Sequence, residues 1–205
     1  MERQRGFTLV EILVASAIAA ILAMMAFTAM TDALSNRERL RTAQARLVAM
    51  QFTIRSLVQD FSQLAPRPVR TAVGEGYDAA VASRGGPESE VVLTRSGWTN
   101  PAGIQRSGLQ RVRYQLRDGV LYRDYWLALD AQLQPDPVQR ALLDQVRSFS
   151  LRYMNEARRW QDTWPPAQPG GDDEIRFKRW RPIAVEVTLE LEDMGTIKRL
   201  IEVPG

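Results

Sequence analysis

Hydrophobic and polar positions divide the chain into three regimes. From Phe7 to Met30 the side chains are almost uniformly apolar, and Glu11 is the one ionisable group among those 24 residues. At ~1.5 Å per residue a helix there would be about 36 Å long, enough to cross a hydrocarbon core of ~30 Å. Beyond Met30 the pattern becomes periodic. Leu40, Leu47, Ile54 and Phe61 recur every seventh position, with Ala43, Met50, Leu57 and Leu64 between them. That spacing predicts one apolar helix face, with Arg37, Glu38, Arg41, Arg46, Arg55 and Asp60 largely off it. No proline or glycine interrupts Phe7 to Leu64, so one continuous helix is expected, ending at Pro66 and Pro68.

The third regime is β-like. Residues 66–90, with Gly74, Gly76, Gly85, Gly86 and Pro87, predict mostly loop. Glu90-Val91-Val92-Leu93-Thr94 predicts a strand. Val112, Tyr114 and Leu116 alternate up to Asp118-Gly119, where a type I′ turn returns the chain through Val120 and Tyr122. Phe149, Leu151 and Tyr153 alternate again, and Pro165-Pro166 to Gly171 predicts a second loop. Ile183 to Leu191 carries polar residues at every second position, and Gly195 turns it into a last strand through Ile197 to Val203. The expected class is α+β. A long N-terminal helix spans a membrane over 7–30, is amphipathic over 31–65, and packs on a β-rich antiparallel head over 66–205.

Composition narrows the chemistry. Hydrophobic residues make up 45% of the 205, ordinary for one globular domain plus an anchor. There is no cysteine and no histidine, so thiol chemistry, disulfides and the commonest general base and metal ligand are all missing. No catalytic residue, cofactor site or metal site is expected. Asp172, Asp173 and Glu174 form an acidic run without the alternate spacing of a calcium loop. The net charge of +3 is mild and rests on arginine, which suits protein interfaces as well as phosphate. Arg158, Arg159, Arg176, Lys178, Arg179 and Arg181 lie among Trp160, Trp164 and Trp180, a mixture also found where single strands stack. A solvated rim or a protein contact explains the same residues, and nucleic acid is not the expected partner.

The N-terminus is more specific. A secretory signal places its small residue after the apolar core, whereas Gly6 precedes the core and comes after Arg3 and Arg5. A carboxylate on the second turn of a membrane helix costs roughly 2.5–3.5 kcal/mol on insertion scales, so Glu11 calls for a cationic partner. Arg5-Gly6-Phe7-Thr8-Leu9-Val10-Glu11 resembles the leader junction of type IV pilins and pseudopilins. The resemblance implies removal of residues 1–6 by the prepilin peptidase and methylation of the new N-terminus at Phe7. It also implies pairing of Glu11 with the N-terminal amine of a neighbouring subunit. Arg3 and Arg5 would then be cytoplasmic and the head periplasmic, although Arg37, Arg39, Arg41 and Arg46 outnumber them beyond the span.

The head resembles the J-type minor pseudopilins of type II secretion. The residues that carry this are Ser96-Gly97-Trp98-Thr99-Asn100-Pro101, the Arg113 to Tyr122 hairpin, Phe149 to Tyr153, and Trp160 with Trp164-Pro165. Trp98 itself is expected to plug the core. This likeness implies an inner-membrane subunit near the tip of a periplasmic pseudopilus, without enzymatic activity. Its partners would be I-type, K-type and H-type minor pseudopilins, with the secretin or secreted cargo as further contacts. A type IV pilus or DNA-uptake subunit shares the leader and is the alternative.

Overall fold

The computed structural model describes residues 7–70, 76–84, 89–99, 101, 103, 105–130, 136–166 and 174–204. Helix α1 runs without interruption from Leu9 to Ser62, 54 residues, close to the helix expected from the sequence. The rest of the described chain is built mainly of strands, arranged as two antiparallel sheets and a small hairpin. The strands are β1 (Val69–Arg70), β2 (Tyr77–Asp78), β3 (Val81–Arg84), β4 (Glu90–Arg95), β5 (Gln110–Arg117), β6 (Val120–Tyr125), β7 (Val138–Leu143), β8 (Val146–Met154) and β9 (Trp160–Gln161). The short helix α2 (Glu174–Lys178) precedes β10 (Ala184–Leu191) and β11 (Gly195–Glu202). One sheet has the order β3-β4-β5-β6-β7, the other β11-β10-β8-β9, and β1 pairs with β2.

The chain divides into two compact units, Met1–Val48 and Ala49–Gly205. From Leu9 the first is helix, and every described residue up to Ala45 is exposed. Within the second unit, Thr53, Leu57, Asp60 and Phe61 of α1 are buried. Leu57 and Phe61 join one apolar cluster with Val91, Leu93 and Val112 of the first sheet and Phe149, Val187 and Leu189 of the second. The seven-residue stripe is therefore not one buried face. Leu40 and Leu47 are 63% and 45% exposed, whereas Leu57 and Phe61 are at most 1% exposed. Periodicity marks a face able to pack but does not say what packs on it.

The end of α1 is tied to β4. Ala65 N donates to Thr94 O at 2.8 Å and Ser96 N to Gln63 O at 2.8 Å, which satisfies backbone groups the helix leaves open where Pro66 stops it. The Asp118-Gly119 turn has φ of 49° and 73°, the two positive values a type I′ hairpin requires, and β5 and β6 pair across it in register. Along β10 the pattern alternates between half-buried and buried, with Val185, Val187, Leu189 and Leu191 facing the core.

Other expectations need correction. Residues 66–90 contain β1, β2 and β3 where the glycines and prolines predict mostly loop. β7 has no alternating pattern because it is an edge strand whose first four residues are exposed. Trp98 does not plug the core; it is half-buried, outside the apolar cluster, with the Arg106 guanidinium 3.5 Å from its ring centroid. Trp164 fills the core instead, 3% exposed and 6.1 Å from the Tyr153 ring. Gly74, Gly85, Gly86, Pro87, Asn100, Gly171, Asp172 and Asp173 lie outside the described residues.

Candidate assembly site on the N-terminal helix

Gly6 and the leader lie outside the described residues, so the site begins at Phe7, which is 82% exposed. Thr8 is the helix N-cap. Its hydroxyl accepts from Glu11 N at 3.3 Å, and its carbonyl accepts from Ile12 N at 3.3 Å. Glu11 answers from the third helical position: one carboxylate oxygen accepts from Thr8 N and from the Thr8 hydroxyl, each at 3.0 Å. This reciprocal arrangement is a capping box, and its sequence signal is the spacing Thr8-x-x-Glu11. The Glu11 carboxylate is thus oriented by its own chain at the start of the helix, where the backbone N–H groups favour a negative charge.

Beyond Glu11 the helix presents one apolar, solvent-facing surface. Among the described residues one helix, α1, is long and apolar enough to cross a membrane. None of the residues from Leu9 to Ala45 is buried. Alanines at 15, 19, 23 and 26 recur at three- or four-residue intervals, spacings that let a second helix approach closely.

The last acid of α1, Asp60, has the opposite environment. Asp60 is 1% exposed, and its position on the buried face corrects the expectation that it lies off the stripe. Arg95 Nη1 donates to Oδ1 at 2.8 Å; Arg123 Nε donates to Oδ2 at 2.7 Å and its Nη2 to Oδ1 at 3.2 Å; the Tyr114 hydroxyl donates to Oδ2 at 2.7 Å. Each partner belongs to a different strand, β4, β6 and β5 respectively. Burial, with the Asp60 charge second, pushes the Tyr114 phenol well above its ordinary value. The sequence signal for this site is slight: a lone acid directly beside Phe61, near the end of the stripe.

The basic and aromatic residues near the C-terminal part do not form one surface. Trp164 is core, and its ring nitrogen donates to Trp180 O at 3.3 Å. Arg181 donates to Pro204 O at 3.1 Å, while the Arg152 guanidinium lies 5.4 Å from the Trp160 ring centroid. Among the described residues no group of three or more acids, histidines or cysteines is arranged to hold a metal.

A long helix carrying one acid near its start, fused to antiparallel sheets, defines a pilin-like subunit. The family profile described as "Type II secretion system (T2SS), protein J" matches residues 28–203, and that for the prokaryotic N-terminal methylation motif matches residues 1–27. The chain belongs to the type II secretion system protein J family, the J-type minor pseudopilins of type II secretion. It is 35% identical over 201 residues to type II secretion system protein J of Klebsiella pneumoniae, covering 98% of this chain and 95% of the relative. The corresponding Escherichia coli protein is 34% identical over 205 residues, covering 98% and 96%. Among solved structures, a chain of the GspK-GspI-GspJ complex from enterotoxigenic Escherichia coli superposes with a TM-score of 0.65 at 28% identity, covering 78% of this chain and 98% of that one.

Proposed function

We propose that this subunit sits in the tip complex of a type II secretion pseudopilus, just below its outermost member, and helps to start assembly. Prepilin peptidase cuts between Gly6 and Phe7 and Phe7 is methylated. The segment 7–30 holds the precursor in the inner membrane, 31–65 links it to the head, and the head 66–205 lies in the periplasm. I-type and K-type minor pseudopilins are its direct partners, consistent with the complex in which its relative was solved. The H-type subunit is a further neighbour, and the secretin or secreted cargo a further contact. The protein works by binding and has no enzymatic activity.

The observation that carries this reading is Glu11: one carboxylate, held by Thr8 at the start of an exposed apolar helix. In a bundle of such helices an N-terminal amine of a neighbour supplies the cation that lipid cannot. Three measurements test the proposal. Intact mass of the extracted protein shows loss of residues 1–6 and one added methyl on Phe7; a cut beyond the apolar stretch defeats it. The Glu11→Leu protein is still cleaved and methylated, yet its first turns no longer crosslink to the adjacent N-terminus at wild-type levels. Purified I-type and K-type subunits comigrate with the protein on gel filtration at tens of micromolar, and clean separation of both overturns the partner assignment.

A further inference from the structure

The face of the five-stranded sheet turned away from α1 carries a feature that assembly through the helix does not use. Positions whose neighbours in sequence meet Asp60 or the core point there by strand alternation: Ala82 and Arg84 on β3, Glu90 and Val92 on β4, Arg111 and Arg113 on β5. With Trp126, Leu129 and Trp164 they line a half-open groove of about 670 Å³. That is within the range of built ligand sites, roughly 300–1,000 Å³, and the lining is predominantly polar, with Trp126 and Leu129 as its apolar part.

The deepest charge in the groove is a cation. Arg111 is 6% exposed, and its Nη1 donates to three neutral oxygens, Ala79 O at 2.9 Å, Ala80 O at 3.1 Å and Thr94 Oγ1 at 3.0 Å. The carboxylates that share the lining lie further out: Asp78 is exposed and Glu90 half-buried, directly opposite Arg84 across the strand pair. Arg113 is already matched, donating to Asp124 Oδ2 at 2.7 Å. Burial lowers the Arg111 guanidinium to about 10, with Asp78 acting the other way, so the surroundings do not fully repay its desolvation. An incoming carboxylate would supply the full opposite charge that the neutral oxygens do not, and it matches the planar guanidinium fork.

We propose that this groove binds an extended acidic segment of a partner protein, a carboxylate side chain reaching Arg111 and an adjacent apolar side chain lying between Trp126 and Leu129. An open trough accepts a chain that enters and leaves, and its mixed apolar and cationic lining matches alternate side chains of such a chain. The site adds recognition on the head, and it does not depend on where in the pseudopilus the subunit stands.

The test is a phage-displayed library of random dodecapeptides panned against the full chain in lipid nanodiscs. Enriched peptides should carry Asp or Glu beside an aliphatic or aromatic residue. A synthetic representative should lose at least about tenfold in affinity to the Ala128→Trp and Arg84→Glu proteins, whose changed side chains are exposed on the groove. Arg111→Lys keeps the charge but loses the forked donor, and should bind as weakly. If circular dichroism shows that variant unfolded, the two rim substitutions decide alone. Peptides without acidic bias, unchanged binding by Ala128→Trp, or no enrichment would each overturn the proposal. So would equal displacement by free glutamate, which marks a simple anion site, or by a single-stranded oligonucleotide, which marks a polyanion surface.

Discussion

Helix α1 places its first and last acids, Glu11 and Asp60, in two different environments. Glu11 is exposed in a stretch where Leu9, Val14, Ile21 and Leu34 are all more than half exposed, and it is held by the neighbouring Thr8. Asp60 is buried where the same helix meets the sheet, and it is bound by two arginines and a tyrosine drawn from three strands. Apolar side chains are plentiful on both sides of Val48, so hydrophobicity does not separate the regions. Supply of partners does: the second region finds them across the sheets of its own chain, the first does not. A charge or an apolar face satisfied internally contributes to the stability of the subunit. One left unsatisfied is available to another molecule.

The largest expected break in that comparison is Asp60→Ala. It strands two guanidinium groups, of which Arg95 is buried and Arg123 is 13% exposed in its side chain, and should cost about 3–5 kcal/mol. Urea unfolding of the full chain in detergent measures this, and Glu11→Ala in the same assay should leave the midpoint unchanged while assembly fails. Equal shifts for the two substitutions would remove the distinction. Next is a leucine pair on the stripe: Leu57→Ala should cost about 2–5 kcal/mol as a buried truncation, and Leu40→Ala about 0.5 kcal/mol or less.

Gly97→Ala is a smaller test of the helix end. Gly97 has φ of 72°, and an added Cβ would stand 2.7 Å from Gln63 Oε1, the atom that also accepts from Arg95. The backbone alone sets a cost of about 1–3 kcal/mol, since the side-chain end of Gln63 can yield. Smallest is the alkaline response. Tyr114 and Tyr153 have phenols raised above 10.0 by burial, so their contribution is complete below that value and falls as pH rises towards their folded values. Arg111, lowered to about 10 by burial, works in the opposite direction over the same window, because the unfolded chain then holds more protons. At pH 10.5 each group contributes under about 1 kcal/mol. Two tyrosines against one arginine should leave a net fall, and Tyr153→Phe should reduce it.

Much of this architecture is legible in the sequence. The helix is expected over Phe7 to Leu64 and observed over Leu9–Ser62 because nothing in that run breaks a helix. The β5–β6 hairpin is legible because Asp118-Gly119 is one of the few dipeptides that tolerate two positive φ values in succession. β1 to β3 are not, being two to four residues long among glycines and prolines. Nor is β7, because an edge strand with one covered end has no strict alternation. Trp98 lies outside the core and Trp164 within it: burial of a single aromatic depends on which loop folds inward, and local pattern carries no information on that. At the proposed assembly site Glu11 stands out by its isolation among apolar residues, while Thr8 looks like an ordinary member of the motif until its hydrogen bonds are seen. The role of Asp60 is hidden because its three partners lie 35 to 63 positions away in the chain.

The three-strand grip on Asp60 has a mechanical consequence. Within the second unit, the last turns of α1 cannot rotate about their axis or slide along it without stretching bonds to β4, β5 and β6 together. Apolar contacts between Phe61 and the sheets resist separation but give way more readily to sliding, since they have no preferred direction. Directional bonds do. A pull or twist arriving along the helix is therefore delivered to the five-stranded sheet as a whole, and the joint behaves as a keyed shaft.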